Sequence, residues 1–301
     1  VLAAGLIAGI LLLLDLPALA ERLASTDLLA ASGVVVLMIL LLVIKGLRWW
    51  IIVSTRRRAP AWRCVRLSIV AMFLNAFIPL RGGDVVRALL LARETGLSRS
   101  HALGTVALDK IYDMFSLGVI VVPLLFLGGL PDWIRWPPVA TVLAALAFLV
   151  TGIVLRLRMR RRGESVEKSP WIVRTLAGFA MGFDSALRPG PAALCAAISI
   201  VQWAVLIGTV VMALQAVGIR PTLGTSAVCL LAVQFAAGVP LTPSAAGTMH
   251  AAIVAVLAAV GTDPETGMGA AVVYHAATTL PIVLLGVPLA RGTAFVQAAD
   301  K

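Results

Sequence analysis

The chain has 301 residues, of which 60% are hydrophobic and only 13% charged, with a mean hydropathy of +1.02. A soluble domain carries about 25% charged residues, and a chain this apolar lacks the polar surface to cover itself, so a soluble enzyme is excluded. The net charge of +11 does not indicate nucleic-acid binding, because the basic residues stand at the ends of apolar windows, where the positive-inside rule places them.

Val1 begins inside an apolar segment with no initiator Met, which predicts a trimmed N-terminus. The segment to Leu14 lacks a basic front, so it reads as a first outward crossing and not as a signal peptide. Asp15, Glu21 and Asp27 make the next connection acidic and place it outside. Leu28 to Val53 returns inward, and Arg56, Arg57, Arg58, Arg63 and Arg66 mark its cytoplasmic end. Arg99 to Leu127 crosses outward. Gly128 to Pro138, with Asp132, Trp133 and Trp136, suits the outer interface. Pro138 to Leu155 returns to the basic run Arg156, Arg158, Arg160, Arg161 and Arg162. Trp171 to Arg188 resembles an amphipathic helix lying at the interface, with Asp184 and Arg188 spaced i,i+4. Pro191 to Val217 goes out, and Met268 to Ala290 comes back, leaving Arg291 and Lys301 inside. These windows approach the roughly 20 apolar residues that a spanning helix needs.

Two apolar stretches begin and end on the same side: Trp62 to Ala92 on the cytoplasmic side and Pro221 to Val260 outside. Each is interrupted by Pro and Gly, at Pro79-Leu80-Arg81-Gly82-Gly83 and at Pro240-Leu241-Thr242-Pro243 with Gly247. Broken backbone at membrane depth needs protein or a wet cavity to satisfy it. Two re-entrant hairpins from opposite faces fit that pattern; paired spans with proline kinks are the alternative. An internal repeat favours the hairpins. Pro79-Leu80 matches Pro240-Leu241, Gly96 matches Gly261 and Lys110 matches His275. Opposite-facing copies form an inverted repeat, which transporters use to build a midplane site. The expected fold is therefore all-α: one integral membrane domain of about six full spans plus two re-entrant helical hairpins. The first half covers residues 1–155 with a hairpin near 62–92, the second covers 170–301 with a hairpin near 221–260, and 156–169 form a basic cytoplasmic loop. Both termini are expected in the cytoplasm.

Three polar clusters stand out. In the first, Asn75, Arg81, Gly82, Gly83, Asp84 and Arg87 combine a tight glycine turn with a helix start. Asp84 can act as N-cap of a helix through Arg93, and Arg81 and Arg87 beside it suit an anionic phosphate; a cytoplasmic loop with interfacial arginines touching headgroups is the alternative. In the second, Asp109 and Asp113 share one helical face beside Lys110 and Tyr112. Charges inside a membrane face a cavity or a partner, so a paired network reaching Arg81 or Arg87 is expected; interfacial residues near the cytoplasmic helix end are the alternative. The third comprises Gln234, Thr242, Ser244, Gly247, Thr248, His250, Tyr274 and His275. His250 and His275 read either as proton carriers or as neutral hydrogen-bonding residues. Two histidines without a nearby carboxylate make a poor metal site. Cys64, Cys195 and Cys229 are far apart and read as small hydrophobes. There is no G-x-S-x-G, H-E-x-x-H or Walker signature, and no cofactor is expected.

Several segments carry a family resemblance: Lys45-Gly46-Leu47-Arg48-Trp49-Trp50, Pro79 to Arg87, Leu108 to Asp113, Pro243 to Ala252 and Tyr274-His275. Through them the chain resembles the lysylphosphatidylglycerol synthase transmembrane domain family of flippase-like membrane proteins, over nearly its whole length. It departs from the usual pattern at Asp84, where Glu is usual, and at Asp109-Lys110, where Glu-Arg is usual; both changes keep the charge. In the later motif Ser244-Ala245-Ala246-Gly247 has two glycines fewer, His250 stands for an acid, and His275 for an arginine.

The resemblance implies a translocase of an anionic phospholipid, aminoacyl-lipid or glycolipid in the cytoplasmic membrane. Arg81, Arg87 and Lys110 would contact the phosphate, held by Asp84, Asp109 and Asp113. The chain ends about ten residues after its last span, so no fused synthase and no lipid aminoacylation are expected. A transporter of a small anionic solute, an intramembrane lipid-modifying enzyme and a non-catalytic partner of a separate lipid synthase are the other readings. Small residues such as Ala192-Ala193 and Ala196-Ala197 permit close helix packing, within one chain or in a homo-oligomer.

Overall fold

The structure, a computed structural model, describes residues 16–55, 59–78, 82–127, 132–162, 170–238, 245 and 247–291. Among the described residues the protein is helical throughout, with no strand. The helices in chain order are α1 (Leu16–Ala24), α2 (Leu28–Ser54), α3 (Ala61–Phe77), α4 (Gly82–Thr95), α5 (Arg99–Leu127), α6 (Asp132–Arg162), α7 (Trp171–Met181), α8 (Pro189–Ala216), α9 (Leu223–Gly238), α10 (Thr248–Ala259) and α11 (Pro264–Arg291). Among the described residues four helical stretches are long and apolar enough to cross a bilayer: Leu28–Ser54, Val139–Met159, Pro189–Ala216 and Pro264–Arg291. The protein is a multi-pass membrane protein. The predicted crossing over Val1 to Leu14 lies outside the described residues.

Local chemistry sets the helix ends. Asp27 accepts the Leu29 N–H at 2.8 Å and so caps α2. Asp263 does the same for α11 through the Thr266 N–H at 2.8 Å. α4 and α10 are both followed by a glycine in the left-handed region, Gly96 at φ 70° and Gly261 at φ 84°, as helix C-termini favour.

Both interrupted apolar stretches form a pair of short helices. α3 has 17 residues and ends at Phe77, and α4 has 14 and begins at Gly82. α9 has 16 residues and ends at Gly238, and α10 has 12 and begins at Thr248. At 1.5 Å per residue each rises roughly 18 to 26 Å, less than the ~30 Å hydrocarbon thickness.

Within the acidic connection Leu16 to Ala24 forms the helix α1. One reading needs correction. The interfacial helix ends at Met181, and residues 182–187 form successive turns. Asp184 therefore stands in these turns and not on one helical face with Arg188. It takes the guanidinium of Arg156, with Arg156 NH2 to Asp184 Oδ2 at 3.4 Å, and Arg156 is buried. The face of α7 bearing Trp171, Ile172 and Leu176 is exposed.

The chain divides into two compact units. The first comprises Val1–Leu41, Phe73–Gly82 and Ala204–Val287; the second comprises Leu42–Met72, Gly83–Trp203 and Pro288–Lys301. In the second, α2 through α5 share a core built on Trp49, Cys64, Leu67, Leu91 and Val106. Another core joins Ile52, Leu108, Ile111, Phe183 and Cys195. Helices approach closely where side chains are absent: a Cβ on Gly104 would stand 2.0 Å from the Phe179 carbonyl oxygen of α7. In the first unit Asp27 N–H donates to the Ala216 carbonyl at 2.8 Å, and Leu214, Leu230 and Leu257 are fully buried. All three cysteines are buried and free.

Candidate functional site

The second unit contains a chain of alternating charges. It starts from Arg48 on α2, which has no exposed surface. Its Nε donates to Asp109 Oδ1 at 2.8 Å, and its NH1 donates to Ser199 Oγ at 2.9 Å. Its NH2 lies 2.7 Å from Asp109 Oδ1 and 2.8 Å from Asp113 Oδ1, and donates to the Asp109 carbonyl at 3.1 Å. Asp109 and Asp113 can both reach one guanidinium because they are one turn apart on α5.

From Asp109 the chain runs to α4. Arg87 NH2 donates to Asp109 Oδ2 at 2.8 Å, and Arg87 Nε meets Asp84 Oδ1 at 3.1 Å. The Arg87 guanidinium carbon also lies 4.7 Å from the ring centroid of Trp49, a cation–π contact in a site with little water. Asp84 Oδ2 then takes Lys110 Nζ at 2.9 Å. From Asp113 the chain runs the other way, to Lys45 Nζ at 3.2 Å. Gln202 Nε2 donates to Asp113 Oδ1 at 2.7 Å, and Trp203 Nε1 donates to the Asp113 carbonyl at 3.0 Å.

The order is Lys110, Asp84, Arg87, Asp109, Arg48, Asp113, Lys45. Exposure follows it: the middle members Arg87, Asp109 and Arg48 are at most 3% exposed, whereas Lys110 is 26% and Lys45 17% exposed. Lys110 is close enough to Lys45 for the two ammonium groups to repel one another. Among the described residues four cations thus face three carboxylates, and the two most accessible cations carry the surplus. Such an arrangement holds its own buried charges fixed and offers two ammonium groups to an anion.

Of the residues singled out in the sequence, Asp84, Arg87, Asp109, Lys110 and Asp113 come together here. Gly82 and Gly83 open α4, where a Cβ on Gly82 would sit 2.4 Å from the Ile78 side chain. Asp84 is not the N-cap: α4 already begins at Gly82, so Asp84 stands in the first turn and its carboxylate is taken by Arg87 and Lys110. Arg81, Thr242 and Ser244 lie outside the described residues. Asn75 is half-buried on α3 and belongs to the first unit.

In that first unit Gly247, His250, Tyr274 and His275 form a second constellation. The rings of His250 and His275 are stacked, with centroids 5.0 Å apart and 27° between planes. The Gly247 N–H donates to His250 Nδ1 at 3.2 Å. Tyr274 is buried and bonds to the Thr209 side chain. Gln234 is half-buried on α9.

The sequence reading did not place Lys45, Arg48, Ser199 and Gln202 in the site. A signal existed for the first two: both lie within the predicted span Leu28 to Val53, and an ionisable residue inside a span marks function. Ser199 and Gln202, as neutral residues in an apolar helix, gave no such signal.

The chain is 25% identical over 223 residues to the UPF0104 membrane protein MJ1078 of Methanocaldococcus jannaschii, covering 71% of this chain and 92% of that protein. No solved structure matches. The sequence profile of the lysylphosphatidylglycerol synthase TM region matches residues 1–286, which is nearly the whole chain, and the protein belongs to that family.

Proposed function

We propose that the protein moves an anionic lipid between the leaflets of the cytoplasmic membrane, binding the headgroup phosphate between Lys45 and Lys110. The observation that carries this reading is the alternating charge chain, whose exposed ends are both lysines and whose cations outnumber its carboxylates by one. Buried charge at this density is costly in a bilayer and is retained where a charged species is handled. The inner members Arg87, Asp109 and Arg48 are braced against one another, so they position the site; the lysines meet the ligand. The lipid tails stay in the hydrocarbon, and the headgroup alone needs a polar path.

The two interrupted helix pairs serve this reading as re-entrant hairpins in opposite orientations, with the remaining long helices crossing fully. Their shared short lengths, their Pro-Gly breaks and the left-handed glycines Gly96 and Gly261 at matched positions support an inverted repeat. The protein acts as a transporter and not as an enzyme, on lipid delivered by a separate synthase, and both termini are cytoplasmic.

The test is translocation of fluorescent phosphatidylglycerol in proteoliposomes, with phosphatidylcholine as the uncharged-net control. Lys45→Gln/Lys110→Gln should slow the anionic lipid at least about tenfold, as expected for loss of two charge-assisted contacts at roughly 1.5 to 3 kcal/mol each. Unchanged transfer in the double variant would remove the lysine pair from the mechanism. Native mass spectrometry of the same proteins should find an anionic lipid on the wild type and not on the variant.

A further inference from the structure

The His250–His275 stack plays no part in the anion site. It lies wholly within the first unit, on α10 and α11. The two rings are not equivalent. His250 Nδ1 accepts the Gly247 N–H, so its lone pair is already engaged. A proton added at that atom would break this bond and set two N–H groups against each other. His275 Nδ1 is buried and has no hydrogen-bond partner among the described residues, so a proton added there breaks no bond they make. The stack itself favours a single charge. An imidazolium over the face of a neutral imidazole is attracted to it, as cations are to π-systems. Two imidazolium ions with centroids 5.0 Å apart repel.

Among the described residues the titratable group that acts on His250 is the His275 ring. Tyr274, next to His275 on α11, directs its hydroxyl to Thr209 of α8. Residues 239–246, which precede Gly247, contain no ionisable side chain.

We propose that the stacked pair is a one-proton site: His275 takes up the proton at Nδ1, and His250 is kept neutral beneath it by the Gly247 N–H. The site would then switch between neutral and singly positive inside a membrane-spanning bundle, which is the elementary event of proton-coupled transport. It does not require that the transported species be a lipid.

The test uses the full chain with 15N-labelled histidine in detergent micelles, followed by nitrogen–proton correlation spectra from about pH 4 to 8, the range that brackets histidine titration. The protein has three histidines, and His101→Gln removes the one outside the stack. The expected result is that His275 moves to the imidazolium signature while His250 keeps the signature of a neutral ring protonated at Nε2. In His250→Gln the His275 midpoint should shift, because the stacking partner is gone. A His275 that stays neutral over the whole range, or two rings that become cationic together, would overturn the proposal. The wild-type spectra decide this even if the variant does not fold, and they decide it whether or not lipid transfer is observed.

Discussion

The two units place polar groups inside an apolar helical bundle in opposite ways. In the second unit Arg48, Asp109 and Arg87 carry permanent charge, and every member of the chain is braced by at least one opposite charge. In the first unit His250 and His275 carry charge only when protonated, and they are held by stacking and one backbone bond. The difference teaches that permanent charge at membrane depth demands a network, because removing one member strands the rest. Optional charge needs much less scaffolding, because its neutral form is tolerated.

The sharpest way to break this comparison is Arg48→Met. It leaves Asp109 and Asp113 buried without their shared guanidinium, and removing one partner of a buried pair costs about 3–5 kcal/mol. Thermal unfolding in detergent should show a large loss of stability, and an unchanged midpoint would mean that the charges are solvated and not networked. Gly104→Ala probes the backbone approach that holds the same unit together. Its Cβ would meet the Phe179 carbonyl at 2.0 Å, and overpacking of this kind costs about 1–3 kcal/mol. The same unfolding measurement should show an intermediate loss.

Asp263 sharpens the pH side of the comparison. The Thr266 N–H holds its carboxyl below the usual carboxylate range. Because the folded value is depressed, this cap contributes fully above the unfolded value and is lost as pH falls through the folded one. Asp263→Ala should cost about 1 kcal/mol near neutrality, whereas Asp263→Asn should keep the cap and remove its acid dependence. The effect lies below about pH 4, so stability changes at higher pH in this unit do not come from Asp263. The smallest expected effect is at Ala245, the one non-glycine residue with positive φ among the described residues, at 54°. Ala245→Gly should stabilise by about 0.5 kcal/mol, the margin by which left-handed strain exceeds glycine's backbone entropy. A destabilised Ala245→Gly would show that this strain is relieved elsewhere.

Much of the helix pattern was legible because apolar length and Pro-Gly breaks act locally. Leu28, Arg99 and Leu127 mark helix ends in both the sequence reading and the structure. The clustering of Asp109 with Asp113 was legible for the same reason, since i,i+4 spacing fixes their shared face. What was not legible depends on contacts distant in sequence. Lys45 and Arg48 stand visibly inside a predicted span, but the sequence does not show that α5 brings two carboxylates to them. Arg156 reads as one member of a basic run, and its partner Asp184 lies far off in sequence, in the turns after α7. Ser199 became part of the site only because Arg48 needed a third acceptor.

The odd length of the charge chain has an electrical consequence. With four cations and three carboxylates, the described site carries one uncompensated positive charge. A charge moved across the whole membrane potential gains or loses about 2.3 kcal/mol per 100 mV. A singly charged anion seated between Lys45 and Lys110 would cancel that surplus. The voltage would then act on the empty site and scarcely on the loaded one, so the return of the unloaded protein would be the step that feels the membrane potential.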